Sequence, residues 1–351
     1  MLPSIISHYN VTIKTILLRK IRRRQRKRNT YDHTTTCKLS SSSHSDISSV
    51  QHNKVKRNLK QQSDSSSVQY KRGMKRNLEH SQLSQRNVTR NWKKDDTARS
   101  RDHRQPQINK RVKQLTFEEN VKVQEVMVAC NYEDYTVFRK LNKSTWITKS
   151  SMTTLLPSKL LNDEVINFIF QLMQNEIQKK SLFLNTYFYV SLTNSCENCY
   201  NFKNVSNWKM FIPKDNIFQL KQLFIPCHLN NNHWVCVIVD IEQKVIDYYD
   251  SMGDVTHTKV TNCITQYLKD VWNEIYHNDK FITNEWNVRN NFSELGNFPI
   301  QDNLTDCGVY MCVYVYCRAH NIAFNFSSKD IVIFRRRLAL SIIQSNLSLY
   351  I

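Results

Sequence analysis

The alternation of apolar and polar positions changes character along the chain near Leu115. From Tyr31 to Gln114 the residues are mostly Ser, Gln, Asn, Lys and Arg, with no sustained helical or strand period. Such a stretch buries too little apolar surface to offset its conformational entropy, so a disordered arm over 1–114 is expected. From Leu115 onward aromatic and branched aliphatic residues are dense, and about 235 residues suffice for one well-packed domain, 115–351.

Within that domain the spacing predicts a helix over Leu160–Ile177, with Val165, Ile166, Ile169, Phe170, Leu172 and Met173 on one face. Asn162 or Asp163 suits its N-cap, and the acids of its first turn suit the helix dipole. Leu184–Leu192, rich in Tyr, Phe and Val, reads as a strand, as do Gln222–His228, Trp234–Ile241 and Val245–Tyr249. Val260–Tyr276 reads as a helix, Cys307–Ala319 as a buried one and Asp330–Leu347 as an amphipathic one. Helices flanking a central, mainly antiparallel sheet make an α+β fold.

Charge sharpens the division. The net charge of +20 is concentrated in residues 1–114, where 28 Lys and Arg face 7 Asp and Glu, a net of +21; the remainder is close to neutral at −1. Arg19–Arg28 reads RKIRRRQRKR, and Lys54-Val55-Lys56-Arg57 and Lys75-Arg76 follow. Import into the nucleus by an import receptor is the favoured reading, with weak contact to nucleic-acid phosphates beside it. A solvated polycation and a mitochondrial presequence are the alternatives. The arm carries no groove-reading motif or zinc finger, which argues against sequence-specific DNA binding.

Met1–Leu18 is broken by His8, Tyr9, Asn10 and Lys14 and lacks a small-residue cleavage site, so no signal peptide is expected. No apolar run reaches the ~18 residues of a membrane span. The ten cysteines are scattered, which fits reduced thiols in the nucleus or cytoplasm. Cys196 and Cys199 have the spacing of half a zinc site, but no second pair follows, and they are read as loop thiols. Cys312 and Cys317 are read as core, and Asn284–Asn303 as a surface loop leading to Gln301.

Three places carry candidate chemistry. His233-Trp234 opens one strand and Asp250 closes the next, so a hairpin turning near Ile241–Gln243 brings His233 opposite Asp250 or one diagonal step away. A carboxylate accepting from one imidazole nitrogen fixes the tautomer and leaves the other nitrogen as a base. Cys307 stands where a hydrophobic helix begins, at the positive end of its dipole, where a nearby His⁺ also favours thiolate. Gly308 permits close approach of a substrate backbone. The side-chain amide of Gln301 suits an oxyanion, shared with a backbone N–H. Taken singly each residue has a structural explanation; the ordered set carries the claim.

That set, His-Trp, then Asp seventeen residues later, then Gln and Cys six apart, resembles the sentrin/SUMO-specific protease family. Leu161-Asn162-Asp163-Glu164 with Ile166-Asn167-Phe168, Asn185–Tyr189, Ile225–Leu229 through His233-Trp234, Tyr248–Gly253 and Asp306-Cys307-Gly308 follow its motifs in order. Phe334-Arg335-Arg336-Arg337 resembles its last helix. The resemblance implies a papain-like cysteine protease fold and cleavage after the Gly-Gly C-terminus of SUMO or another ubiquitin-like protein. It implies Cys307 as nucleophile, His233 as proton shuttle, Asp250 as its orienting partner and Gln301 in the oxyanion hole. Trp234 is implied over a tunnel admitting two glycines, and Asp163 opposite a basic residue of the modifier. No metal or organic cofactor is implied.

One departure stands out: Leu160 occupies the position where the family usually has Trp as the tunnel's other wall. It bears on specificity more than chemistry. The competing functions are a protease for ubiquitin or another modifier, a non-catalytic SUMO-binding module, and a nucleic-acid-binding protein working through its arm.

Overall fold

The computed structural model describes residues 107–350 except 178–179, 194–198, 212–215, 254–257, 278 and 291–297. The basic clusters and Cys196 lie outside the described residues, as does part of the Asn-rich stretch. The chain joins the fold earlier than Leu115: Ile108 bridges to Ile322, Val112 bridges to Tyr350, and Lys113 N–H donates to Leu349 O at 2.9 Å. Ile108, Val112 and Lys113, expected in the arm, thus pair with the folded part. Buried Arg337 donates to the carbonyls of Lys113 and Gln114 and so ties this segment to the folded part.

The elements in order are α1 (Phe117–Ala129), β1 (Val137–Lys140), β2 (Trp146–Thr148), α2 (Lys149–Met152), α3 (Asp163–Glu176), β3 (Ser181–Phe183), α4 (Tyr187–Leu192), β4 (Gln222–Leu229), β5 (His233–Asp240), β6 (Val245–Tyr249), α5 (Thr258–Ile275), β7 (Asn287–Asn290), α6 (Cys307–Ala319) and α7 (Ile331–Gln344). The main sheet runs β3-β4-β5-β6-β7. Its central pairs, β4–β5 and β5–β6, are antiparallel, and the outer pairs β3–β4 and β6–β7 are parallel. The fold is α+β.

Every residue of β5 is buried, and side chains alternate between sheet faces, so helices cover both sides. On one side Trp234, Cys236 and Ile238 join a core with α3, α6 and α7. Helix α6 is apolar around its whole circumference and buried from Cys307 to Arg318, which makes it the central helix. Elsewhere α4 packs on β4 and α5 on β6, joined by an edge-to-face contact of Phe188 and Tyr267 with centroids 5.0 Å apart.

Two expectations are corrected. Leu184–Leu192, read as a strand for its aromatic and β-branched content, contains the helix α4. Phe188, Tyr189 and Leu192 are its buried positions, a helical spacing, and the Asn167 side chain pins Thr186 through two hydrogen bonds just before it. Strand propensity is weak evidence in so short a segment. The supposed loop Asn284–Asn303 contains β7, held parallel to β6 by buried Arg289, whose guanidinium donates to both oxygens of Asp247 at 2.7 and 2.9 Å. Among the described residues no helix is long and apolar enough to cross a membrane.

Candidate active site

His233 owes its place to a three-residue turn. Asn230 and Asn231 take positive φ, 49° and 57°, a conformation asparagine tolerates better than most residues, and Leu229 pairs directly with His233. On the next strand Tyr249 pairs with Cys236, so Asp250, one residue beyond β6, continues the register opposite Val235, one diagonal step from His233. The side chains span that step: His233 Nε2 lies 2.8 Å from Asp250 Oδ1. Asp250 is 1% exposed, and its carboxylate also accepts from Met252 N–H at 2.8 Å and Tyr248 O–H at 3.3 Å.

Nε2 of His233 is committed to Asp250, and Cys307 is the other group that acts on this imidazole. Burial opposes charge on this imidazole, yet Asp250 and Cys307 outweigh it and the pKa is pushed up to about 10. A carboxylate, an imidazole and a thiol set in this order are the parts that nucleophilic catalysis by a cysteine needs. His228 moves the opposite way: burial lowers its pKa, nearby Asp163 opposes that and His233 adds to it. His228 stacks on Trp234, with ring centroids 4.0 Å apart.

Cys307 is the first residue of α6, and no side chain caps that helix. Gly308 is held closely by the chain itself. A Cβ built there would sit 2.9 Å from Leu161 Cβ and 3.2 Å from Trp234 Cδ1. The space freed by this glycine is thus taken by Leu161 and Trp234, whose Nε1 donates to Leu161 O at 2.9 Å. Leu160 beside them is 41% exposed.

Gln301 is buried and anchored at three points. Its backbone N–H donates to Ser251 O at 2.8 Å, its Oε1 accepts from Ser251 Oγ at 2.5 Å, and its Nε2 donates to Asn303 O at 2.6 Å. Gln301 is thereby tied to the residue after Asp250. Asp163, at the start of α3, accepts from Tyr187 Oη at 2.6 Å, and burial together with Asp163 pushes that phenol's pKa up. Asp163 therefore has an internal partner as well as a place near His228.

Sequence reasoning missed two contributors. Ser251 lies in the Tyr248–Gly253 motif, beside Asp250, and the sequence alone gives it no role. Arg335 was read only as part of an arginine run, yet it is 3% exposed on α7 and bonded to Asp306 at 2.5 Å. The signal available was an arginine one residue from Phe334 and three from Leu338, both buried apolar positions of the helix. Among the described residues no cluster of three or more His, Cys, Asp or Glu is arranged to hold a metal ion, and Cys199 is exposed.

Residues 159–348 match the model of the Ulp1 protease family, C-terminal catalytic domain. The chain is 28% identical over 194 residues to ubiquitin-like-specific protease 1 of Saccharomyces cerevisiae, covering 55% of this chain and 29% of that protein. It is 27% identical over 205 residues to human sentrin-specific protease 2, covering 57% and 33%. The chain thus spans about a third of the length of these curated relatives. The solved structure of the C-terminal Ulp1 protease domain in complex with Smt3, the yeast ortholog of SUMO, superposes with a TM-score of 0.55 at 24% identity, covering 66% of this chain and 97% of that one. At that identity the likeness speaks to the fold.

Proposed function

The chain belongs to the Ulp1 protease family, and from that premise we propose that it is a thiol protease cleaving peptide or isopeptide bonds after the Gly-Gly C-terminus of SUMO. The observation that carries the reading is the buried chain of contacts from Asp250 through His233 to Cys307, with 2.8 Å between carboxylate and imidazole. In this reading residues 108–351 form the catalytic unit. The thiolate of Cys307 attacks the carbonyl carbon of the terminal glycine, and His233⁺ protonates the departing amine. Water, deprotonated by the now neutral imidazole, then cleaves the thioester and regenerates the thiolate beside His233⁺. Asp250 holds His233 by Nε2, which keeps Nδ1 toward the sulfur. The second N–H of the Gln301 amide and the Cys307 backbone N–H stabilise the oxyanion.

Trp234 and Leu160 form the walls between which the two glycines lie, and Asp163 faces a basic residue of the modifier. The solved Ulp1 domain in complex with Smt3 supports a SUMO-like partner, as does the similarity to sentrin-specific proteases. Action on precursors and on conjugates both follow from the same chemistry. The Arg19–Arg28 cluster supports delivery to the nucleus. Leu160 favours one further reading, a preference for another ubiquitin-like modifier, because an aliphatic wall leaves more room than an indole.

The test uses the full chain, wild type and Cys307→Ser, with SUMO, ubiquitin and other modifiers bearing a C-terminal fluorophore. Release from SUMO that disappears in the variant is expected. Release from another modifier alone keeps the chemistry and moves the substrate; binding of SUMO without turnover of any reporter overturns the enzyme reading.

A further inference from the structure

Arg335 lies on α7, distant in sequence from His233, Asp250 and Cys307, and its guanidinium joins two segments of the site. Nε donates to Asp306 Oδ1 at 2.8 Å and Nη2 to the same oxygen at 2.5 Å. The other contacts are backbone carbonyls: Thr154 and Leu156 from Nη1, both at 3.1 Å, and Lys159 and Thr305 from Nη2, at 2.7 and 3.1 Å. Thr305 and Asp306 lead directly into Cys307, and Lys159 leads directly into Leu160. One planar fork therefore fixes the turn that delivers the sulfur against the turn that delivers the cleft wall. From the other side Trp234 Nε1 holds Leu161 O. The carbonyls flanking Leu160 are thus both fixed, one by Arg335 and one by Trp234.

Arg335 also determines what Asp306 does. An Asp at the residue preceding a helix ordinarily turns its carboxylate onto the first free amides. Asp306 does not: Oδ1 is taken by Arg335 and Oδ2 accepts from Asn303 Nδ2 at 2.7 Å, so no side chain caps α6. The positive end of the helix beside Cys307 is left without a competing carboxylate. A lysine cannot reproduce this, because its donors radiate from one point whereas these acceptors are spread around a plane.

We propose that Arg335 is a positioning residue for the reaction, holding Cys307 and the Leu160 wall in register and keeping the Asp306 carboxylate off the start of α6. The proposal rests on the reading of Cys307 as nucleophile. Its test compares full-length wild type, Arg335→Lys, Asp306→Asn and the double variant, each confirmed folded by circular dichroism. Two readouts are taken: steady-state release of a fluorophore from SUMO, and the pH-dependent rate of iodoacetamide labelling at Cys307, located by peptide mass.

The expected result is a kcat lower by about tenfold or more in each single variant, with KM within about twofold, since sub-ångström misplacement of a reacting atom acts on kcat. Labelling of Cys307 slows in parallel, and the double variant is no worse than Arg335→Lys. A kcat within about twofold of wild type, losses that multiply in the double variant, or unchanged labelling overturns the proposal. Should Arg335→Lys fail to fold, Asp306→Asn decides by the same two readouts. If wild type releases no reporter at all, the protease reading fails, and the labelling comparison alone decides the role of Arg335.

Discussion

Asp250 meets His233 diagonally across the β5–β6 pair, Oδ1 to Nε2 at 2.8 Å, from a position one residue past the last paired residue of β6. Besides the imidazole, Tyr248 O–H and Met252 N–H hold the carboxylate, which restrains it from following the ring if the ring moves. Replacing it by an amide keeps the shape and removes the charge. Asp250→Asn is expected to lower kcat by about a thousandfold with little change in KM, because the amide can present its N–H to Nε2 and leave the proton on the wrong nitrogen. Steady-state kinetics on a SUMO reporter check this; a kcat within tenfold of wild type counts against the orienting role.

The same contact predicts how stability depends on pH. His233 has an ordinary pKa of 6.5 when unfolded and about 10 when folded, so between those values the folded chain holds a proton that the unfolded chain has released. Binding more protons in the native state means stability falls as pH rises. The contribution is complete below 6.5 and is lost as pH climbs toward 10. Melting temperature followed over that interval should decline more steeply for wild type than for His233→Gln, which removes the group while leaving Asp250, Cys307 and His228 in place. Parallel curves would mean that His233 is not protonated in the folded chain.

Gly308 gives a prediction about packing. A methyl group there meets Leu161 Cβ at 2.9 Å, and Leu161 cannot retreat because its carbonyl is held by Trp234. Gly308→Ala is expected to destabilise by about 1–3 kcal/mol, read by urea denaturation. Leu161→Ala should not rescue it, since the closest clash is with a Cβ that alanine retains. Full rescue would show that the constraint lies farther out on the leucine.

Much of this was legible before any coordinates. Helix α6 begins and ends where the apolar run Cys307–Ala319 does, because a run apolar on all sides can only be a core helix at that length. The β5–β6 hairpin follows from two buried strands separated by Glu242-Gln243-Lys244, and it brings His233 and Asp250 together. Leu184–Leu192 misled because aromatic content favours strand while its burial follows a helical spacing. The hairpin β1–β2, strand β7 and helix α1 carry too little apolar period to announce themselves; α1 leaves Phe117 and Val128 exposed. Arg335 was hidden for a different reason. Apart from Asp306, its acceptors are backbone carbonyls of Thr154, Leu156, Lys159 and Thr305, and no residue type encodes where a carbonyl will point.

Ser251 shows the same kind of concealed dependence at Gln301. The Asn303 carbonyl can only accept, so it fixes Nε2 of the glutamine on its side, and Ser251 Oγ then donates to Oε1 at 2.5 Å. Both ends of the amide are committed, and one N–H of Nε2 remains for an oxyanion. Removing the hydroxyl frees Oε1 while the anchor at Asn303 persists, so the amide is loosened without being lost. Ser251→Ala should therefore lower kcat by about fivefold, the worth of one hydrogen bond of ~1 kcal/mol. Gln301→Ala should lower it by about a hundredfold or more. In a Gln301→Ala background Ser251→Ala should do nothing further, because the only group it orients is gone. Single-turnover rates for the four proteins decide the matter, and a fivefold loss that persists without Gln301 would assign Ser251 to the fold instead.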